Sequence, residues 1–174
     1  MLTLELPDPA LVLLIGPSGA GKSTFARRHF GPTEIISSDH CRALVCDDEG
    51  AQHVNLEAFG LAHHLARLRL QLGKMTVFDA TNLEARARRP LLKLARRQRV
   101  STVAVVFNVK PETCLAQNRQ RRERLVPEEV ISQQLGQLAQ TLPRLERENY
   151  GLIYLLTEHE LVDLRLERVK KLAD

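Results

Sequence analysis

The sequence has 174 residues, of which 44% are hydrophobic and 26% are charged, and its formal net charge at pH 7 is +4. These proportions are ordinary for a globular protein, and the length suits one α/β domain around a single core. Because no apolar run approaches the ~18 residues of a membrane span and no signal-peptide pattern is present, the sequence predicts a protein without a membrane partner.

The cysteines and histidines show no metal-ligand pattern. Cys41, Cys46 and Cys114 are odd in number and lack the spacing of a zinc site, and the six histidines form no H-E-x-x-H arrangement. Reduced thiols are therefore expected, which favours a cytoplasmic protein.

Short apolar runs alternate with helical patterns along the chain. The predicted strands are 11–15, 34–37, 76–79, 102–108 and 152–156. The predicted helices are 23–30, 56–72, 84–97, 112–122, 127–138 and 158–172. Short, largely apolar strands of this kind are buried on both faces of a parallel sheet. We therefore predict one α/β domain, 1–174, with about five parallel strands and helices on both faces.

The first predicted strand runs into the sequence GPSGAGKS at residues 16–23, which fits the pattern G-x-x-x-x-G-K-[ST]. Glycines let the backbone form a nest whose N–H groups face phosphate oxygens, and the positive end of the following helix faces the same anion. Lys22 would reach the β- and γ-phosphates, and the Ser23 hydroxyl would bind Mg²⁺. The sequence thus predicts a P-loop NTPase fold that binds ATP or another NTP through Gly16, Ser18, Gly19, Ala20, Gly21, Lys22, Ser23 and Thr24.

The second predicted strand is followed by Asp39 and, one helical turn later, by Arg42. Ligands of an open α/β sheet gather outside the carboxyl ends of its strands, so Asp39 would face the same crevice as the P-loop. A carboxylate there can accept the proton of an attacking hydroxyl, and an arginine can hold that hydroxyl or the scissile phosphate. The alternative makes Asp39 a helix N-cap and Arg42 its surface ion-pair partner.

The third predicted strand ends at Asp79. A hydrophobic strand that ends in aspartate is the Walker B arrangement, which holds Mg²⁺ directly or through its waters. We predict a Mg²⁺ (or Mn²⁺) site at Ser23 and Asp79; the alternative for Asp79 is a plain strand-end cap. Thr81 and Asn82 are expected to cap the next helix while their side chains face the cleft.

Two basic clusters stand out. One extends along and just beyond the third predicted helix, 84–97, and comprises Arg86, Arg88, Arg89, Lys93, Arg96, Arg97 and Arg99. It fits either a solvated helix face or a surface that attracts a polyanion.

The other cluster lies in a predicted lid at about 112–131 and comprises Arg119, Arg121, Arg122 and Arg124. Arginines of a lid can neutralise charge on a transferring phosphoryl group. On a helix, Arg121 and Arg124 would share one face and Arg119 and Arg122 another, so at most two are expected to be catalytic.

From residue 16 to about 154 the chain resembles the kinase domain of bacterial polynucleotide kinase-phosphatase, an RNA-repair enzyme. The matching segments are GPSGAGKST (16–24), SSDHCRALVCDDE (37–49), LQLGKMTVFDATN (70–82), ARRPLLKLA (87–95), VAVVFN (103–108) and NRQRRERLVPEEVI (118–131). Their combination is far more specific than the P-loop alone.

The resemblance implies a 5′-hydroxyl polynucleotide kinase that moves the γ-phosphate of an NTP to a 5′-OH end of RNA or DNA. In that comparison Lys22 and Ser23 handle the phosphates and Mg²⁺, and Asp39 is the general base. Arg42 contacts the acceptor and the transferred phosphate. Arg121 and Arg124 fall on lid arginines of the family.

The chain departs from the family at Gln117, where the lid of many members begins with another arginine. Either Arg119 supplies that charge from a nearby position or one phosphate contact is absent. In the family this kinase is the N-terminal module of a longer protein with phosphatase and ligase-like modules. The chain is therefore expected to be either an excised domain or a free-standing relative.

Two other functions remain open from the residues. A kinase of the zeta-toxin or small-metabolite type would share the P-loop and the strand-end aspartate. A regulatory NTP-binding module would bind nucleotide without phosphoryl transfer, and Asp39 would then be dispensable.

Overall fold

A computed structural model describes residues 2–121 and 124–170. Its strands are β1 (Leu2–Asp8), β2 (Ala10–Ile15), β3 (Ile35–Ser37), β4 (Thr76–Asp79), β5 (Ser101–Phe107), β6 (Leu152–Leu156) and β7 (Leu164–Lys170). Its α-helices are α1 (Lys22–His29), α2 (Ser38–Cys46), α3 (Asn55–Gln71), α4 (Ala85–Arg97), α5 (Pro111–Arg119), α6 (Glu128–Thr141) and α7 (Glu158–Val162). Two 3₁₀-helices are Gln52–Val54 and Leu142–Glu148.

Five parallel strands form the main sheet in the order β3-β4-β2-β5-β6. The central strand β2 is buried along its whole length, because both of its edges are paired and both of its faces are covered. All five predicted strands are present to within one residue at each end. The predicted α/β P-loop fold is therefore confirmed.

Alternate residues of the central strands serve two different cores. Val12 and Leu14 pack with Phe25 of α1 and Ile131 of α6 on one face. Leu11, Leu13 and Ile15 pack with α3 and α4 on the other face. Because side chains of a strand alternate between the two faces, an uninterrupted apolar run such as Leu11–Ile15 is what a doubly covered strand requires.

The predicted C-terminal helix is wrong for most of its length. The helix α7 ends at Val162, and Leu164–Lys170 forms β7, which pairs in parallel with β1 as a separate two-stranded sheet. The leucines Leu164 and Leu166 alternate with charged residues and lie opposite Leu2 and Leu4. This period of two favours a strand over a helix. Residues 171 and 172 of the predicted helix lie outside the described residues.

The predicted lid helix is shorter than expected. The helix α5 ends at Arg119, although the sequence pattern favoured continuation to Arg122, which itself lies outside the described residues. The side chain of Asn118, 2% exposed, donates to the carbonyl of Val126 at 2.8 Å and accepts from its N–H at 3.1 Å. This amide bridge draws the chain back across the loop and ends the helix.

Arg168 of β7 fastens the small sheet to the main sheet. Its guanidinium donates to both oxygens of Glu34, at 2.8 and 2.6 Å, and lies 5.6 Å from the ring centroid of Phe30. The hydrogen bond from Arg168 is the main reason why the pKa of Glu34 lies below its ordinary value of 4.5. The bidentate pair thus connects the C-terminal strand with the loop before β3.

We expect Arg168→Ala to lower the free energy of unfolding at pH 7 by about 1 kcal/mol, a value kept small because the pair is partly exposed. A carboxylate with a depressed pKa stabilises the fold above its unfolded pKa and loses that contribution as pH falls. The difference from the native protein should therefore shrink as pH falls below 4.5. Urea unfolding at pH 7 and at acidic pH measures it. Arg165→Ala, which breaks an exposed pair with Glu167 on the same strand, should show neither effect.

Candidate active site

The P-loop joins the end of β2 to the start of α1. Gly19 and Gly21 have φ angles of +79° and +90°, in the left-handed region that favours glycine. At Gly19 a Cβ would lie 2.2 Å from the carbonyl oxygen of Cys114 in α5, so a side chain has no space there. Gly21 is the N-cap of α1, and no side chain caps that end of the helix. The first N–H groups of α1 are thus available to an anion.

Lys22 and Asp79 are buried together at the base of the loop. Lys22 is 7% exposed and its Nζ donates to the carbonyl of Pro17 at 2.7 Å. Burial lowers the pKa of Lys22 to about 8, although the charge of Asp79 opposes this change. Burial likewise raises the pKa of Asp79, opposed by Lys22 and by the Ser23 hydroxyl. The sequence-predicted phosphate and metal residues are therefore adjacent in space.

The chemistry of these oxygens fits Mg²⁺. A hydroxyl from Ser23 and a carboxylate from Asp79 are hard oxygen ligands, and Mg²⁺ in nucleotide sites typically completes its shell with phosphates and water. Within residues 2–121 and 124–170 no cluster of three His, Cys, Asp or Glu residues could hold a metal ion.

Asp39 lies in the first turn of α2, immediately after β3, and receives two guanidinium groups. Its Oδ1 accepts from Nη2 of Arg42 and, at 2.7 Å, from Nη1 of Arg124. Asp39 is not the N-cap of α2, because that position belongs to Ser37, whose hydroxyl accepts from the His40 N–H. The alternative in which Asp39 is a cap is therefore wrong.

Arg42 is 3% exposed, so it is not the surface ion-pair partner that the same alternative required. Its Nε donates to the carbonyl of Glu49 at 2.6 Å, and its Nη1 donates to Oδ1 of Asn55 at 3.0 Å. Its Nη2 donates to Asp39, so all three nitrogens of the guanidinium are hydrogen-bonded and its orientation is fixed. Such a fixed planar group can direct hydrogen bonds at a substrate oxygen without reorganisation.

The cleft between these groups has two connected parts. The outer part, of about 560 Å³, includes Arg27 and Ile35 in its lining, and the inner part, of about 220 Å³, reaches Lys22 and Arg42. Residues that line both parts are Ser23, Ser37, Asp39, Asp79, Arg121 and Arg124. The structure thus brings Asp39 and the two lid arginines to the same space as the P-loop lysine and the strand-end carboxylate.

The two lid arginines reach the cleft by a different route from the one predicted. Arg121 and Arg124 both line it, but neither belongs to a helix, so the argument from a shared helical face is wrong. Arg119 points elsewhere, since it donates to the Glu128 carboxylate at 2.7 Å and is 69% exposed. Arg119 therefore does not supply the charge missing at Gln117, which is near the P-loop beside Gly21.

Asn82 was expected to face the cleft and cap α4, and this is wrong. Its side chain is 3% exposed and its Nδ2 donates to the carbonyl of Leu14 at 2.8 Å. The bond ties the end of β2 to the turn after β4. The N-cap of α4 is Glu84, without a side-chain cap, so Thr81 does not cap it either. Thr81 lines the inner cleft, as expected.

Among the polar residues of the inner cleft that sequence reasoning missed are Gln52, Asn55 and Gln134. Gln134 of α6 accepts the N–H of Ser18, in the P-loop, at 2.7 Å, across 116 residues of sequence. No local pattern marks such a residue, because its partner is distant in the chain. Asn55 could have been found only through its bond with Arg42.

Comparison with known families identifies the class of protein. The family described as an AAA domain matches residues 11–145, so the chain belongs to that family. The match covers the P-loop, Asp39, Asp79 and the lid, and the domain is of the P-loop kinase-like kind. None of the curated proteins matches the sequence. No described helix is long and apolar enough to cross a membrane.

Solved structures share this fold at low sequence identity. A structure from the PezAT toxin–antitoxin system of Streptococcus pneumoniae is 17% identical over 87% of this chain and 69% of its own, with a TM-score of 0.65. AvrRxo1-ORF1:AvrRxo1-ORF2 with sulphate ions is 16% identical, with a TM-score of 0.63 and coverage of 93%. This chain spans about half, 55%, of that one.

A Pnkp1/Rnl/Hen1 complex contains a chain that is 22% identical to this one. The likeness covers 68% of this chain and 41% of that chain, with a TM-score of 0.55. At such identities these three structures show a common fold.

Proposed function

We propose that the chain is a 5′-hydroxyl polynucleotide kinase that transfers the γ-phosphate of ATP or another NTP to a 5′-OH end of RNA or DNA, in RNA repair. The observation that carries this proposal is Asp39, a carboxylate held by Arg42 and Arg124 in the cleft that also contains Lys22. A regulatory module that only binds nucleotide needs no such carboxylate beside the phosphate site. The resemblance of segments such as 37–49 and 118–131 to the polynucleotide kinase family supports a polynucleotide end as the acceptor.

The P-loop amides and Lys22 bind the triphosphate, and Lys22 moves from Pro17 to the β- and γ-phosphates. Ser23 and Asp79 would hold Mg²⁺, which when bound neutralises charge on the phosphate oxygens. Partial burial of this cluster strengthens each of these interactions by lowering the local dielectric.

Asp39 acts as the general base. Both arginines donate to its Oδ1, and among the described residues Oδ2 has no hydrogen-bond partner, so Oδ2 can accept the proton of the 5′-hydroxyl. The hydroxyl oxygen then attacks the γ-phosphorus as the bond to the β-phosphate oxygen breaks. Arg121 and Arg124 of the lid balance the charge that develops on the transferred group and on the leaving oxygen.

Transfer of label from γ-labelled ATP tests the proposal. A 5′-OH oligonucleotide of RNA and one of DNA are compared with the same oligonucleotides carrying a 5′-phosphate, and with a panel of sugars and nucleosides. We expect label on the 5′-OH oligonucleotides alone. Label on a sugar or a free nucleoside would favour a kinase of the small-metabolite or zeta-toxin type, and nucleotide binding without transfer would favour a regulatory module.

We expect Arg121→Ala and Arg124→Ala each to lower kcat at least roughly tenfold and to change KM for ATP much less. The contact strengthens as charge develops in the transition state, so its loss affects kcat first. Lysine at either position should restore little, because an ammonium cannot replace a planar fork on phosphate oxygens.

Arg119→Ala is the matched control for these variants, since Arg119 lies in the same segment but pairs with Glu128 on the surface. Steady-state kinetics of all three variants decide the assignment. An equal loss of kcat in Arg119→Ala and Arg124→Ala would contradict the assignment of Arg124 to the transition state.

A further inference from the structure

The basic cluster of α4 is not spread evenly around the helix surface. Arg88 is 1% exposed and is used internally, since it donates to the carbonyls of Asn82 and Leu83 and to the carboxylate of Glu148. Arg89 and Arg96, by contrast, are exposed and line a groove of about 500 Å³ against the 3₁₀-helix Leu142–Glu148. The groove thus lies between two elements and has an open face.

The opposite wall of the groove contributes two more arginines, Arg144 and Arg147. The acid that lines the groove is Glu148, and its two oxygens already accept from Arg88. Among the described residues, none of the four groove arginines has a carboxylate within ion-pair distance. Four like charges that converge without a counter-charge repel one another, so the groove favours an anion.

Exposed arginines elsewhere are of two kinds. Arg86, Arg119 and Arg165 each pair with a glutamate, whereas Arg28 and Arg67 have no carboxylate partner among the described residues. What sets the groove apart is that four unpaired arginines line a single cavity. The groove therefore fits the second of the two interpretations of the basic cluster, a surface that attracts a polyanion.

The position of the groove indicates which polyanion it would bind. The helix α4 follows β4, whose last residue is Asp79, so its first turns are near the carboxyl edge of the sheet where the cleft opens. Ala85 and Arg89 mark that end of the groove, and Arg96 lies ~10 Å further along the helix axis. Arg89 thus lies nearer the carboxyl edge of the sheet than Arg96, and a strand that extended from the cleft along α4 would meet them in that order.

We propose that this groove binds the phosphodiester backbone of a single-stranded RNA or DNA downstream of the end that occupies the active site. Arginines suit this role because their planar forks match phosphate oxygens. The contact carries no base specificity, since it involves only the backbone. The assignment of the strand to the acceptor rests on the proposed kinase function.

The test compares two 3′-fluorescein oligonucleotides with a 5′-OH, of about 4 and about 20 nucleotides, with the native protein and Arg89→Ala/Arg96→Ala. Alanine favours helix, so α4 should remain folded, which circular dichroism checks. Arg144→Ala/Arg147→Ala removes the other wall of the groove. Arg67→Ala/Lys74→Ala removes two exposed positive charges elsewhere and is the matched control.

We expect both groove variants to bind the long oligonucleotide roughly tenfold more weakly and to lower the slope of log Kd against log salt by about 1.4, the value for two lost phosphate contacts. Their KM should rise for the long acceptor and stay unchanged for the short one, with kcat unaltered. Equal losses in the control, or unchanged affinity for the long oligonucleotide, would overturn the proposal. The proposal would also be overturned if polyglutamate bound through the groove arginines while the oligonucleotides did not bind. That result would favour an acidic protein partner.

Failure of the kinase function would be distinguishable from failure of the groove. If the native protein labelled neither oligonucleotide, the kinase proposal would fall, while fluorescence anisotropy would still decide whether the groove binds nucleic acid. If the native protein labelled both and the groove variants had native affinity and KM, the groove proposal alone would fall.

Discussion

Asp39→Asn is expected to lower kcat for phosphoryl transfer roughly 10²–10⁴-fold, the usual range for loss of a general base. The substitution keeps the side-chain shape, and an amide oxygen can still accept from Arg42 and Arg124 at the Oδ1 position. What changes is the Oδ2 position, where an NH₂ group cannot take a proton. Rapid-quench or steady-state kinetics with a 5′-OH oligonucleotide measures the loss.

The matched control for this variant is Asp47→Asn. Asp47 is exposed at the C-terminal end of the same helix α2 and has a φ of 59°, a conformation that asparagine tolerates well. We expect native kinetics from it. ATP affinity and the melting temperature of Asp39→Asn should stay close to native values, so that a lost rate can be assigned to chemistry. A variant that retained more than about a third of the native rate would show that Asp39 only positions the arginines.

Much of the fold could be predicted because its signals are local. Buried parallel strands are short apolar runs, and the P-loop pattern fixes the order of strand, loop and helix. The pairing of β1 with β7 could not be predicted in this way, since Leu2 and Leu164 meet only in three dimensions. The strand itself had a local signal, the alternation of Leu164 and Leu166 with charged residues, which the helical prediction overlooked.

The candidate site shows the same division between local and distant information. Asp39 and Asp79 could be placed because parallel strands end at a common edge. Arg121 and Arg124 do line the cleft, but the reason given for it, a shared helical face, is wrong. The buried Asn118–Val126 bridge ends α5 at Arg119, before either arginine. The link from Gln134 to Ser18 had no sequence signal at all.

Lys22 is expected to be essential for transfer and to contribute little to stability. Lys22→Met keeps the length and much of the volume of the side chain but removes its charge, and we expect kcat to fall at least roughly 10³-fold. Burial lowers the pKa of Lys22 to about 8, because removal from water disfavours the charged form. The variant should melt close to the native temperature, because loss of this unfavourable charge is offset by loss of the hydrogen bond to Pro17 and of the positive charge near the buried carboxylate of Asp79.

A large loss of rate with little change in stability distinguishes a functional lysine from a structural one. If Lys22 served the packing of the loop, Lys22→Met would lose activity and stability together. Ser23→Ala should share the loss of transfer, since it removes the hydroxyl next to Asp79. Lys74→Met, at an exposed lysine outside the cleft, should leave both quantities unchanged. Native transfer by Lys22→Met with an intact circular dichroism spectrum would contradict the assignment of the loop to phosphate binding, whereas inactivity with an unchanged or raised melting temperature would support it.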